Sequence, residues 1–305
     1  AQESRGLGDV YKRQLLLHGY PQYSLMWEET ALLLSDKYTT IIPDLRGYGE
    51  SAKPKGLFDH SNYSKREMAK DMIQIMDNLK YQYFSVVGHD RGGRVAHRLS
   101  RDYSHRVQKM TVLDICPTLD MYESTNKEFA TGYFHWFFLI QKFPVPEKLI
   151  QNNSSLWLKE CLNKWSGGHN FEQKLDSYLD KFNNPETIHS TCEDYRASAG
   201  IDLIHDKKDY KKKLNIPIQV LWGKNTLINK CFNPIDIWQK YTKKNVMIKE
   251  LKYVFYLLVI FFYFRFQIHK SFLLKYLSNT YLILESLLIL QLDFLCNLIQ
   301  LNCAK

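Results

Sequence analysis

A chain of 305 residues can bury a large core, either as one α/β domain or as a domain carrying an insertion. It is 45% hydrophobic with 20 Tyr and 17 Phe, a globular composition. The net charge of +9 comes from lysines spread along the chain, densest from Lys207 to Lys213, and no zinc-finger spacing or aromatic RNA-binding signature accompanies them; a nucleic-acid partner is excluded on that basis.

Residues 1–14 are polar and without periodicity. They resemble translated adapter sequence and are set apart from the fold. Leu15-Leu16-Leu17 is a buried strand that breaks at His18-Gly19-Tyr20-Pro21. Backbone N–H groups of such a loop, with Tyr20 as the candidate, can form half of an oxyanion hole. Tyr38 to Pro43 is a second strand, followed by the glycine-punctuated turn Asp44-Leu45-Arg46-Gly47-Tyr48-Gly49-Glu50-Ser51. Ser64-Lys65-Arg66-Glu67 is a capping box opening a helix with Met68, Met72, Ile75, Met76 and Leu79 as its inward stripe.

The most informative stretch is Tyr83-Phe84-Ser85-Val86-Val87-Gly88-His89-Asp90-Arg91-Gly92-Gly93-Arg94. A strand runs into Gly-x-Asp-x-Gly and then into a helical pattern, the context of a nucleophile elbow with a carboxylate in the middle position. An aspartate there is suited to displacing a leaving group at saturated carbon, giving an ester for water to cleave. Arg91 and Arg94, three apart at a helix start, can share one face and bind a small carboxylate. Lys109 to Leu113 is the next strand, and Asp114 at its end is the candidate acid that orients a catalytic histidine. The Trp222-Gly223 turn of a later strand is followed by Lys224, Asn225, Thr226 and Leu227, none of them an acid.

Between 116 and 205 the pattern is helical and aromatic, as expected of a cap inserted into an α/β core. It contains Phe134-His135-Trp136 and Asp194-Tyr195-Arg196. Strand character returns at Ile216 to Gly223 and Asn245 to Glu250, so the core is divided into 15–115 and 206–250. Strands alternating with helices imply a mostly parallel sheet with ligands at the carboxyl ends of its strands. Composition then shifts: Tyr253 to Phe264 is free of charged and small polar residues, and the rest of 251–305 is rich in Leu and Ile. The run ends at Arg265, short of the roughly 20 apolar residues of a membrane span. A membrane-associated tail is one reading; a change of reading frame near Leu251 is the favoured one. Six cysteines without a C-x-x-C pair, and no visible signal peptide, point to the cytoplasm.

His18-Gly19-Tyr20-Pro21, Asp44-Leu45-Arg46-Gly47-Tyr48-Gly49 and Gly88-His89-Asp90-Arg91-Gly92-Gly93-Arg94 together resemble the α/β-hydrolase superfamily and, within it, the haloacetate (fluoroacetate) dehalogenases. The resemblance spans roughly Leu15 to Glu250. It implies an α/β-hydrolase fold with a helical cap, Asp90 as nucleophile and Asp114 as the orienting acid. It further implies Arg91 and Arg94 on the substrate carboxylate, the Tyr20 and Arg91 main chains at the oxyanion, and His135, Trp136 and Tyr195 around the departing halide. His18 and His89 are structural by the same resemblance. The partners implied are a short haloacid and water. No cofactor or metal is expected, since H-E-x-x-H, P-loop and G-x-G-x-x-G patterns are absent. The family's Gly-His turn after the last strand is replaced by Leu251-Lys252-Tyr253-Val254, and the next histidine is His269. Turnover through an activated water is therefore the step this sequence leaves in question. An epoxide hydrolase with the same nucleophile, and a non-catalytic, membrane-associated pseudoenzyme, are the alternatives.

Overall fold

The computed structural model describes residues 12–165 and 172–251. Six strands form one parallel sheet: β1 (Lys12–Leu17), β2 (Tyr38–Ile41), β3 (Phe84–His89), β4 (Val107–Leu113), β5 (Ile218–Gly223) and β6 (Met247–Leu251). Their spatial order is β2-β1-β3-β4-β5-β6, parallel at every pairing. Leu15, Leu16 and Leu17 are all buried, as a strand covered on both faces requires. From β1 the chain moves outward to β2 and then crosses back to β3 on β1's other side. The carboxyl ends of β1 and β3 therefore flank the topological switch point, where open α/β sheets bind ligands. That crevice is where His18–Tyr20 and Asp90 emerge.

Helix α1 (Glu28–Leu34) follows the loop after β1, and α2 (Lys65–Asn78) and α3 (Arg91–Asp102) pack against each other beside the sheet. Between β4 and β5 the described residues form eight helices, the cap: α4 (Thr118–Glu123), α5 (Lys127–Gly132), α6 (Phe134–Leu139), α7 (Val145–Gln151), α8 (Ser154–Trp165), α9 (Glu172–Phe182), α10 (Pro185–Ala199) and α11 (Ile201–Asp209). Short α12 (Leu227–Cys231) and α13 (Pro234–Gln239) separate β5 from β6.

Several expectations shift at their edges. The sheet begins at Lys12, because Lys12, Arg13 and Gln14 pair with Tyr38, Thr39 and Thr40; these three residues belong to the core. The last cap helix continues past 205 to Asp209, and β6 ends at Leu251. Ser64 caps α2 by accepting from Glu67 N at 3.3 Å, one half of the expected capping box; the reciprocal half is replaced, since Ser64 N donates to Ser61 O and the Glu67 carboxylate pairs with Lys70. The buried face of α2 is Met68, Ala69, Met72, Ile73 and Met76, while Leu79 is 46% exposed. Leu79 is the C-cap, already turned away where the helix stops. No helix among the described residues is long and apolar enough to cross a membrane. The segment from 252 onward, with His269, lies outside the described residues.

Candidate active site

The end of β3 meets the start of α3 at Asp90, whose φ of 45° lies in the left-handed region that non-glycine residues seldom occupy. Neighbouring glycines permit this turn. A Cβ on Gly88 would lie 2.3 Å from Gly92 O, and one on Gly92 would lie 2.4 Å from Leu17 O, so any side chain would push α3, β3 and β1 apart. Gly92 N donates to His18 O at 2.8 Å, tying the turn to the loop after β1. From that loop Tyr20 N donates to Asp90 Oδ2 at 3.0 Å. One carboxylate oxygen is thereby fixed by the main chain that the sequence nominated. Arg91 N belongs to the first residue of α3, whose N–H has no acceptor within the helix.

His18 is buried, accepting from Leu45 N through Nε2 (2.9 Å) and facing Gly19 O through Nδ1 (3.1 Å), so it braces the loop as expected. Asp44 accepts from Ser24 N (2.7 Å) and Glu50 N (2.8 Å), which closes the turn after β2 and ties it to the segment that follows β1.

Arg91 and Arg94 are both buried, and each is laid on a cap aromatic. Arg91 Cζ lies 4.1 Å from the Tyr195 ring centroid, and Arg94 Cζ lies 4.5 Å from that of Trp136, cation–π distances in both cases. His135 packs edge-on against Tyr195 (5.7 Å between centroids) and stacks with Tyr20 (6.2 Å). Sequence positions 20, 91, 94, 135, 136 and 195 therefore meet around one place. Burial, with Arg91, Lys164 and Arg94 adding to it, pushes His135 well below its ordinary pKa, so its imidazole is neutral at pH 7. Trp136 Nε1 and the Tyr195 hydroxyl are buried with no hydrogen-bond partner among the described residues. Buried donors left open carry a desolvation cost, which a bound acceptor would relieve.

Asp114 follows β4 at φ 52° and is buried. Its Oδ1 accepts from Thr226 Oγ1 (2.7 Å) and Gly223 N (3.3 Å). Burial pushes its pKa up to about 6 against the pull of those two donors, with the Asp90 charge adding to the rise. None of its hydrogen bonds within the described residues comes from a histidine.

Three participants were not singled out from sequence. Tyr122 packs on Trp136 (5.0 Å), and its buried hydroxyl has no partner among the described residues. Asp194 and Lys65 form a buried ion pair against Arg91. Asp194 stood in the cap motif beside Tyr195, but no local pattern reveals a partner more than a hundred residues away.

The α/β hydrolase fold family model matches residues 15–255. The chain is 41% identical over 227 residues to fluoroacetate dehalogenase of Burkholderia sp, covering 73% of this chain and 75% of that protein. It is 32% identical over 217 residues to soluble epoxide hydrolase of Corynebacterium sp. (strain C12), covering 68% and 72%. The crystal structure of ALR0039 from Nostoc sp PCC 7120 superposes with a TM-score of 0.77 at 47% identity, over 80% of this chain and 85% of that one. A parallel sheet with an interrupting helical cap, matched over this length, leaves one assignment: the chain belongs to the α/β-hydrolase family, an enzyme of that type whose sequence is dehalogenase-like.

Proposed function

We propose that this protein removes halide from a short 2-haloacid such as haloacetate. The observation that carries the reading is the convergence on Asp90. One of its carboxylate oxygens is pinned by Tyr20 N, two buried guanidinium groups stand beside it, and open N–H and O–H donors come from the cap.

In this mechanism the substrate carboxylate lies against Arg91 and Arg94. An Asp90 oxygen attacks C2 from the side opposite the halogen: the C–O bond forms, the C–X bond breaks, and the halide leaves with the electron pair. Trp136 Nε1, Tyr195 O–H and His135 receive it as neutral donors aimed at the departing charge. The product of this half-reaction is an ester on Asp90. Its hydrolysis would develop an oxyanion on the ester oxygen facing Tyr20 N and the first N–H of α3. That second step also needs a base for water. Asp114 is engaged by Gly223 and Thr226 instead of an imidazole within the described residues, and the sequence beyond Glu250 holds one histidine, His269. The reading is therefore that halide release outpaces hydrolysis and the ester accumulates.

The epoxide-hydrolase reading draws support from the Corynebacterium relative and from two buried, open tyrosine hydroxyls, Tyr122 and Tyr195. Burial raises the pKa of both, Tyr122 to about 12, which weakens them as proton donors, and a neutral epoxide has no use for two buried arginines. Rapid-quench measurement of halide release decides between the readings. Haloacetate should give a burst near one halide per chain, while styrene oxide leaves Asp90 unmodified. Alkylation by styrene oxide with no haloacetate burst would reverse the order.

A further inference from the structure

The cap residue Asp194 sits at the centre of a buried cluster whose only member used by the reaction above is Arg91. Arg91 Nε donates to Asp194 Oδ2 (2.8 Å), and Arg91 Nη2 donates to Asp194 Oδ1 (2.7 Å), to Asp194 O (2.9 Å) and to Ser198 Oγ (2.5 Å). Tyr48 O–H donates to Asp194 Oδ2 at 2.8 Å. Lys65 Nζ, buried at the start of α2, donates to Asp194 Oδ1 and stands 3.5 Å from Asp202 Oδ2. Lys65 N closes the ring by donating to Asp202 Oδ1 at 2.9 Å. Two cations, Lys65 and Arg91, are thus matched by two carboxylates, Asp194 and Asp202.

The consequence differs for the two arginines. Every nitrogen of the Arg91 side chain except Nη1 is taken up by the cluster, and Nη1 is buried with no partner among the described residues. Among the described residues Arg94 donates to neutral acceptors alone, Cys116 O (3.2 Å), Thr118 Oγ1 (3.0 Å) and Met121 Sδ (3.4 Å), and its Nε has no partner there. No carboxylate forms an ion pair with it among the described residues.

We propose that Asp194 is a positioning residue for the reaction. With Lys65, Tyr48 and Ser198 it clamps Arg91 so that the Nη1 edge alone is offered to the substrate carboxylate, while Arg94 supplies the uncompensated charge that attracts it. Burial by itself would raise the Asp194 pKa, but Arg91 and Lys65 outweigh it and hold the carboxyl well below the ordinary range, so Asp194 is ionised at pH 7. Because Tyr195 follows Asp194 directly and lies over the same guanidinium, seating α10 sets the carboxylate end and the halide end of the site together.

The inference rests on the haloacid reading, and the test separates the two. Asp90 alkylation is followed by intact mass and peptide mapping with chloroacetate and with its neutral analogue chloroacetamide. A contact that only docks the cap would affect both reagents alike; a clamp on Arg91 affects the anionic one. In Asp194→Asn the preference for chloroacetate over chloroacetamide should fall roughly tenfold or more, through weaker saturation by the anionic reagent. The pair Lys65→Met/Asp194→Asn removes one charge of each sign and should show the same loss, which excludes net charge as its cause. If neither variant folds, Tyr48→Phe/Ser198→Ala, which deletes two hydrogen bonds of the clamp, should lower the preference severalfold. Retained preference in the folded variants, or an equal fall for both reagents, overturns the clamp. A wild-type chain that shows no chloroacetate preference overturns the haloacid reading itself.

Discussion

Two carboxylates crown neighbouring strands of the sheet, Asp90 after β3 and Asp114 after β4, and both take a left-handed backbone, φ 45° and 52°. Strand register puts them side by side, since His89 pairs with Leu113 and Asp90 N donates to Leu113 O at 3.4 Å. Their surroundings are opposite. Asp90 has one oxygen fixed by a backbone N–H and lies close enough to Arg94 and Tyr195 for its charge to act on both. Asp114 is closed over by Gly223 and Thr226, and its acidity is weakened by burial. The same backbone device lifts both groups above the sheet at a cost of order 1–3 kcal/mol each. The neighbours then leave Asp90 facing the cap side chains as a candidate nucleophile, and hold Asp114 by one oxygen between Gly223 and Thr226.

Replacing each carboxylate tests this contrast. Asp90→Asn should cut halide release by roughly a thousandfold or more, because the attacking atom is lost, and rapid-quench halide assay reads it. Asp114→Asn should barely touch that first step; its effect is on stability. The Asp114 carboxyl has a folded pKa of about 6 against about 4 unfolded, so the unfolded state releases its proton first and stability declines as pH rises from about 4 to about 6. The full penalty above pH 6 is about 3 kcal/mol, and Asp114→Asn should abolish that decline in urea denaturation measured at pH 4 and pH 7.

The arginines sharpen the contrast on the Asp90 side. Arg94→Gln should raise the chloroacetate half-saturation roughly 10- to 100-fold, the worth of a charge-assisted hydrogen bond, with the neutral chloroacetamide much less affected. The smallest effect belongs to Thr226→Val, which deletes one donor to Asp114 and should destabilise the fold by about 1 kcal/mol at pH 7 and by less at pH 4, where the carboxyl is protonated.

Much of the Asp90 region was legible because its signals are local. Gly88 and Gly92 bracket the aspartate in sequence and in space, and parallel strands buried on both faces read as unbroken apolar runs. The limits of β1 were harder to see: Lys12 to Gln14 look polar, yet they pair with β2 through backbone groups that carry no side-chain signature. In the cap, helices such as α4, α5 and α6 span six residues each, too short for a periodic stripe to mark their ends. Long-range pairings were beyond reach for the same reason. Lys65 reads as part of a capping box, and only folding brings it to Asp194. Leu79 failed in the opposite sense, since periodicity continues in sequence past the point where α2 ends.

The central claim is covalent: Asp90 takes the alkyl group of a haloacid. Intact-mass measurement of the full chain after incubation with chloroacetate, followed by peptide mapping, tests it without requiring turnover. The account predicts a single carboxymethyl adduct on Asp90 that is missing in Asp90→Asn. An unmodified protein, or an adduct carried by a cysteine or another carboxylate while Asp90 stays free, would contradict it.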